Sequence, residues 1–147
     1  MTSTPDDVRR QLSDIEATEE TYAGLGPADV PALVALLGDT EEWLAARAVY
    51  ALSRIDTDET RRVVAAAAGS DQLAVRVAAA SSAATMPAGV SDTMLDRLLR
   101  HPEPAVRKVA VRATSDRNSA AVRERVAEIA AQDTSARLRS VAEAQNR

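Results

Sequence analysis

Apolar residues in this chain recur three and four positions apart, and that recurrence itself repeats. The segments "PALVALLGD" (31–39), "VVAAAAGSD" (63–71), "MLDRLLRHP" (94–102) and "RVAEIAAQD" (125–133) align at one step. Their apolar columns are Leu33, Val64, Leu95 and Val126; then Leu36, Ala67, Leu98 and Ile129; then Leu37, Ala68, Leu99 and Ala130. Positions i, i+3 and i+4 share one face of a helix, so each segment predicts an amphipathic helix, here termed A. A second pattern follows each of these: "WLAARAVYAL" (43–52), "LAVRVAAASSA" (73–83), "PAVRKVAVRA" (104–113) and "ARLRSVAEA" (136–144). Placing Leu44, Val75, Val106 and Leu138 in one column makes the steps 31, 31 and 32 residues. The next column reads Ala45, Arg76, Arg107 and Arg139, and four positions past the first stand Ala48, Ala79, Ala110 and Ala142. These segments predict helices B.

Turn and cap residues fall between the helices. Gly38-Asp39-Thr40 and Gly69-Ser70-Asp71 are expected to end an A helix and cap the next B helix. His101-Pro102-Glu103-Pro104 does the same, with proline at the permitted start of a helix. Pro87-Ala88-Gly89 breaks the second pair from the third, with Ser91 or Asp92 predicted to cap the helix after it, and Asp116-Arg117-Asn118-Ser119 separates the third from the fourth. Thr4-Pro5-Asp6-Asp7 opens an extra helix whose apolar face is Val8, Leu12 and Ile15; it lies outside the repeat columns and reads as an end cap, which a stack of repeats requires.

This pattern resembles the HEAT-repeat family, in particular the short bacterial HEAT-like repeats first noted in phycobiliprotein lyase subunits. The resemblance covers about residues 28–146 and rests on Pro31, on the turn aspartates Asp39, Asp71 and Asp133, and on Arg76, Arg107 and Arg139. It implies an all-α, right-handed α-solenoid of antiparallel helical hairpins with an N-terminal helical cap. The expected organisation is one domain over 1–147: cap 1–27, then repeats 28–57, 58–88, 89–118 and 119–147. It also implies that the aspartates and arginines form a structural ladder between neighbouring repeats. The ladder departs from the pattern at Ala45 and at Pro102-Glu103.

Composition agrees with a helical chain. Aromatics are 2% of the 147 residues, so the apolar material is mostly Ala, Val and Leu, which favour helices and close helix approach. A net charge of −4 argues against nucleic-acid binding, which requires clustered positive charge. With no cysteine, disulfides and thiolate chemistry are excluded. No apolar run approaches the roughly 20 residues of a membrane helix. "MTSTPDD" is acidic and no apolar stretch follows it, so the expectation is a cytoplasmic protein.

Chemistry-bearing residues are few. His101 is the sole histidine and sits in a proline-flanked turn, where a solvated turn residue is the expected role; no paired metal ligands and no phosphate loop occur, so no cofactor is expected. A stripe one step around from the B-helix core columns is more informative. It reads Trp43, Arg47, Tyr50, Arg54 in the first repeat, Ala74, Ala78, Ser81, Thr85 in the second, and Ala105, Val109, Arg112, Asp116 in the third. Trp, Tyr and Arg dominate binding hot spots, and a floor of small residues leaves room for a peptide or helix. The expectation is therefore a non-enzymatic protein-interaction module contacted through Trp43, Arg47, Tyr50, Arg54, Ser81 and Arg112. The competing reading places Trp43 and Tyr50 against the N-terminal cap. Two alternative function classes are a HEAT-like enzyme or enzyme subunit, glycosylase-like or chromophore-lyase-like, and a small inhibitory partner protein.

Overall fold

The computed structural model describes residues 4–13 and 18–146. The chain is all-α, with ten α-helices among the described residues: α1 (Pro5–Leu12), α2 (Glu19–Tyr22), α3 (Val30–Leu36), α4 (Glu42–Ser53), α5 (Asp58–Ala67), α6 (Leu73–Ser82), α7 (Ala88–Leu98), α8 (Pro104–Ala113), α9 (Ala120–Gln132) and α10 (Ala136–Gln145). The first compact unit ends at Ala78 and the second begins at Ala79, inside α6. None of the described helices is long and apolar enough to cross a membrane.

In the first unit α1 packs on α2, α3 and α4, while α4 also packs on α3 and α5. Thr4 starts α1 by accepting from Asp7 N–H at 3.2 Å, and Asp7 returns the bond to Thr4 N–H. Hydrogen bonding of the carboxylate to Thr4, to its backbone N–H first and its side chain second, holds the Asp7 carboxyl below the usual aspartate value. Val8 and Leu12 of α1 are fully buried, which is why this helix folds onto its neighbours α3 and α4; Ile15 lies outside the described residues. Gly24, at φ +82°, turns the chain away after α2, in backbone space that favours glycine.

In the second unit α7 packs on α8 and α9, and α10 packs on α8 and α9. Thus one A helix meets the next A helix, and one B helix meets the next B helix. Every residue of the first helix-A column, and both B columns led by Leu44 and Ala48, is buried. Ala110 on α8 and Ala142 on α10 are fully buried on two helices that pack together, where a methyl side chain permits close approach. Ser119 and Ser135 cap α9 and α10, accepting from Val122 N–H at 3.4 Å and Leu138 N–H at 3.2 Å. The expected cap for α7 is corrected. That helix begins at Ala88 behind Pro87, so Ser91 and Asp92 lie within it. Proline at the N-cap starts the helix without a side-chain bond, which frees Ser91 and Asp92 for tertiary contacts.

Candidate functional site

The repeating arginine column has one shared task. Arg76 Nη1 donates to Ser70 O at 2.6 Å, Arg107 Nη1 to His101 O at 2.9 Å, and Arg139 Nη1 to Asp133 O at 2.6 Å. In each case the acceptor lies six residues back, in the turn that follows helix A. The arginine therefore ties the turn to helix B.

A side-chain rung forms at Arg107, whose Nε and Nη2 donate to Asp133 at 3.0 and 3.1 Å. Ala45 has no guanidinium to offer, and no side-chain rung to Asp71 forms among the described residues. One step before Asp133 the sequence carries Pro102, and the buried Nε of Arg76 finds no partner among the described residues. Asp39 is paired from outside the column, by Arg9 of α1, which also reaches Glu41 at 3.5 Å.

Trp43 stands in the first turn of α4 with 45% of its surface exposed. The Arg47 guanidinium lies over its ring, 5.2 Å from the centroid. Arg47 Nη1 also donates to Leu12 O at 2.5 Å, the last carbonyl of α1, so Arg47 is half-buried. One turn on, Tyr50 is half-buried too. Arg54, just past the helix end, pairs with Glu19, with Nη1 to Oε1 at 3.2 Å, and stacks on Tyr22 at 5.7 Å. Burial pushes the Tyr22 phenol above its usual range, against the opposing pull of Arg47 and Arg54. Gln11 holds the same segment, donating from Nε2 to Thr21 O at 3.1 Å and Ala23 O at 3.2 Å. The N-terminal segment thus engages both stripe arginines and leaves Trp43 open. The holding contacts are individually small: an exposed ion pair and an exposed cation–π contact contribute about 0.5–1 kcal/mol each.

In the second unit, Ser81, Val109 and Arg112 line one shallow pocket of about 310 Å³ with Ala84 and Ala113. Three stripe positions read from sequence therefore share one opening. His101 accepts from Glu103 N–H at Nδ1, 3.0 Å away, as a turn residue does.

One buried polar cluster carries no sequence signal. Asn118 is buried, donates to Ser91 Oγ at 3.1 Å and Asp92 Oδ1 at 2.9 Å, and accepts from Ser115 N–H at 2.8 Å. It pins the loop before α9 to the first turns of α7. In the sequence it is one polar residue in a polar loop, and nothing periodic marks it.

No family model matches the chain, and no curated protein and no solved structure matches it.

Proposed function

We propose that this chain is a right-handed α-solenoid of HEAT-like hairpins serving as a non-enzymatic protein-interaction module, which takes a peptide or helix on its B-helix face. Two observations support the solenoid reading. In the second unit A packs on A and B on B. The same arginine-to-turn bond recurs at Arg76, Arg107 and Arg139, as expected when one supersecondary unit is repeated.

The interaction reading is carried by Trp43. A large aromatic left 45% exposed on a helix, with a guanidinium stacked over its ring, is a preformed anchor of the kind that dominates interface energetics. Its orientation is set by Arg47, itself held by the Leu12 carbonyl, so little ordering is required on binding. The pocket beside Ser81, Val109 and Arg112 offers an apolar floor next to a guanidinium, suited to an aliphatic side chain beside an acid.

Trp43 is the chain's sole tryptophan, so its emission reports on this site directly. Peptides selected from a displayed library against the intact protein should blue-shift that emission and lose at least roughly tenfold in affinity with Trp43→Ala, a loss of about 1.4 kcal/mol. Ligands that bind without moving the emission and bind Trp43→Ala as well as the unaltered chain would overturn the assignment.

A further inference from the structure

Residues 18–25 are held by polar contacts: Arg54, at the end of α4, reaches Glu19 and Tyr22, and Gln11 of α1 donates to Thr21 O and Ala23 O. Their single helical turn, α2, is four residues long, far too short to persist without tertiary support. Thr21 is the one fully covered side chain in the segment. Its neighbours Glu19 and Tyr22 make the contacts that matter. Glu19, 81% exposed in its side chain, pairs with Arg54, and the Tyr22 ring receives the same guanidinium at 5.7 Å. The preceding helix differs in kind. Val8 and Leu12 of α1 are fully buried, so α1 remains docked when the segment after it lifts.

We propose that residues 18–25 act as a built-in competitor for the α4 face, and that the partner this face accepts has the same chemistry. That partner is a helical turn with a carboxylate and an aromatic ring three residues apart, as Glu19 and Tyr22 are. The carboxylate pairs with Arg54 and the ring lies under the same guanidinium. This inference rests on the reading of α4 as an interaction surface and adds what that surface recognises and how it is kept closed. Helical positions i and i+3 share a face, so both groups reach α4 together. A tethered competitor acts at an effective concentration in the millimolar range, and apparent affinity for an incoming ligand falls by the fraction of molecules left open. A partner therefore binds measurably only when it outcompetes the segment, which sets a threshold against weak acidic peptides.

The test uses the full chain with Glu19→Arg and Tyr22→Ala together, which disables the internal copy and leaves α4 and the buried face of α1 untouched. The probe is a synthetic peptide of residues 18–25, Thr-Glu-Glu-Thr-Tyr-Ala-Gly-Leu, titrated by NMR with the Arg54 Nε–H and Tyr50 amide signals as reporters. The expected result is binding to the variant at least roughly tenfold tighter than to the unaltered chain. A control peptide carrying the same two replacements should not shift either signal. Equal binding to both proteins, or none to a variant that retains its helical circular dichroism, overturns the inference. Library-selected ligands anchored on Trp43 report separately: if they bind while the 18–25 peptide does not, the interaction surface stands and the competitor falls; if neither binds, both fall.

Discussion

Arg107 and Asp133 face each other through two parallel hydrogen bonds of 3.0 and 3.1 Å, with side chains only 10% and 7% exposed. They lie 26 residues apart and join α8 to the turn before α10. The same guanidinium donates to the His101 and Pro102 carbonyls, so one side chain satisfies its own turn and the following one.

Asp133 should therefore dominate the acid side of the stability profile. Burial works to raise its pKa, but the Arg107 bonds, the Ser135 N–H and the charges of Arg107 and Arg125 outweigh burial and hold the carboxyl below the ordinary 3.8. A depressed carboxylate stabilises the fold in full above its unfolded value and loses that contribution as pH falls through the folded value. Chemical denaturation between pH 2 and pH 7 should show this loss below about pH 4 in the unaltered chain and a flatter profile in Asp133→Asn.

Three arginines occupy one repeat column, yet their removal should not cost the same. Arg107→Ala strands a buried carboxylate and should destabilise by about 3–5 kcal/mol. Arg76→Ala and Arg139→Ala each forfeit a bond to a turn carbonyl and should cost about 1–2 kcal/mol. Equal losses across the three in urea melts would show that the Asp133 rung contributes nothing beyond the turn contact.

Asn118→Asp would set a second carboxylate 2.9 Å from Asp92 in a covered site. Like charges at that range oppose ionisation, so the variant should lose about 2–3 kcal/mol near pH 7 and recover part of it as the pH falls toward 4. Asn118→Ala should lose a similar amount with little pH dependence, since it leaves the Ser115 N–H without its acceptor. Thermal melts at the two pH values separate the cases.

Ala110→Leu should cost about 1–3 kcal/mol, because Ala110 is fully buried on a helix that packs against α10. Ala105→Leu, on the exposed side of the same helix, should be nearly neutral. Paired melts of these two variants test which face of α8 is packed.

Arg47→Ala removes both the Leu12 carbonyl bond and the cover over Trp43. It should destabilise the fold by about 1–2 kcal/mol and shift Trp43 emission to longer wavelength as the indole gains solvent. A stability loss without a change in emission would show that Arg47 does not shield the ring.

Much of this protein was legible along the chain. The helices, the buried columns at Leu33, Leu44 and Ala48, and the turn residues follow from a period of 3.6, because burial is decided by which face of a helix a residue occupies, and neighbours three and four apart share that face. Ala45 and Pro102 likewise announced interruptions in the arginine–aspartate pattern. What the sequence could not say is whom a polar side chain meets. Arg47 finds the end of α1 and Arg54 finds Glu19, each 35 residues away, while Asn118 finds Asp92 across 26. Such partners are set by how whole helices pack, and a hydrogen bond depends on placement to within a few tenths of an ångström. Local pattern decides which residues are covered; only the packed structure decides that Leu12, Glu19 and Tyr22 engage Arg47 and Arg54 and leave Trp43 open.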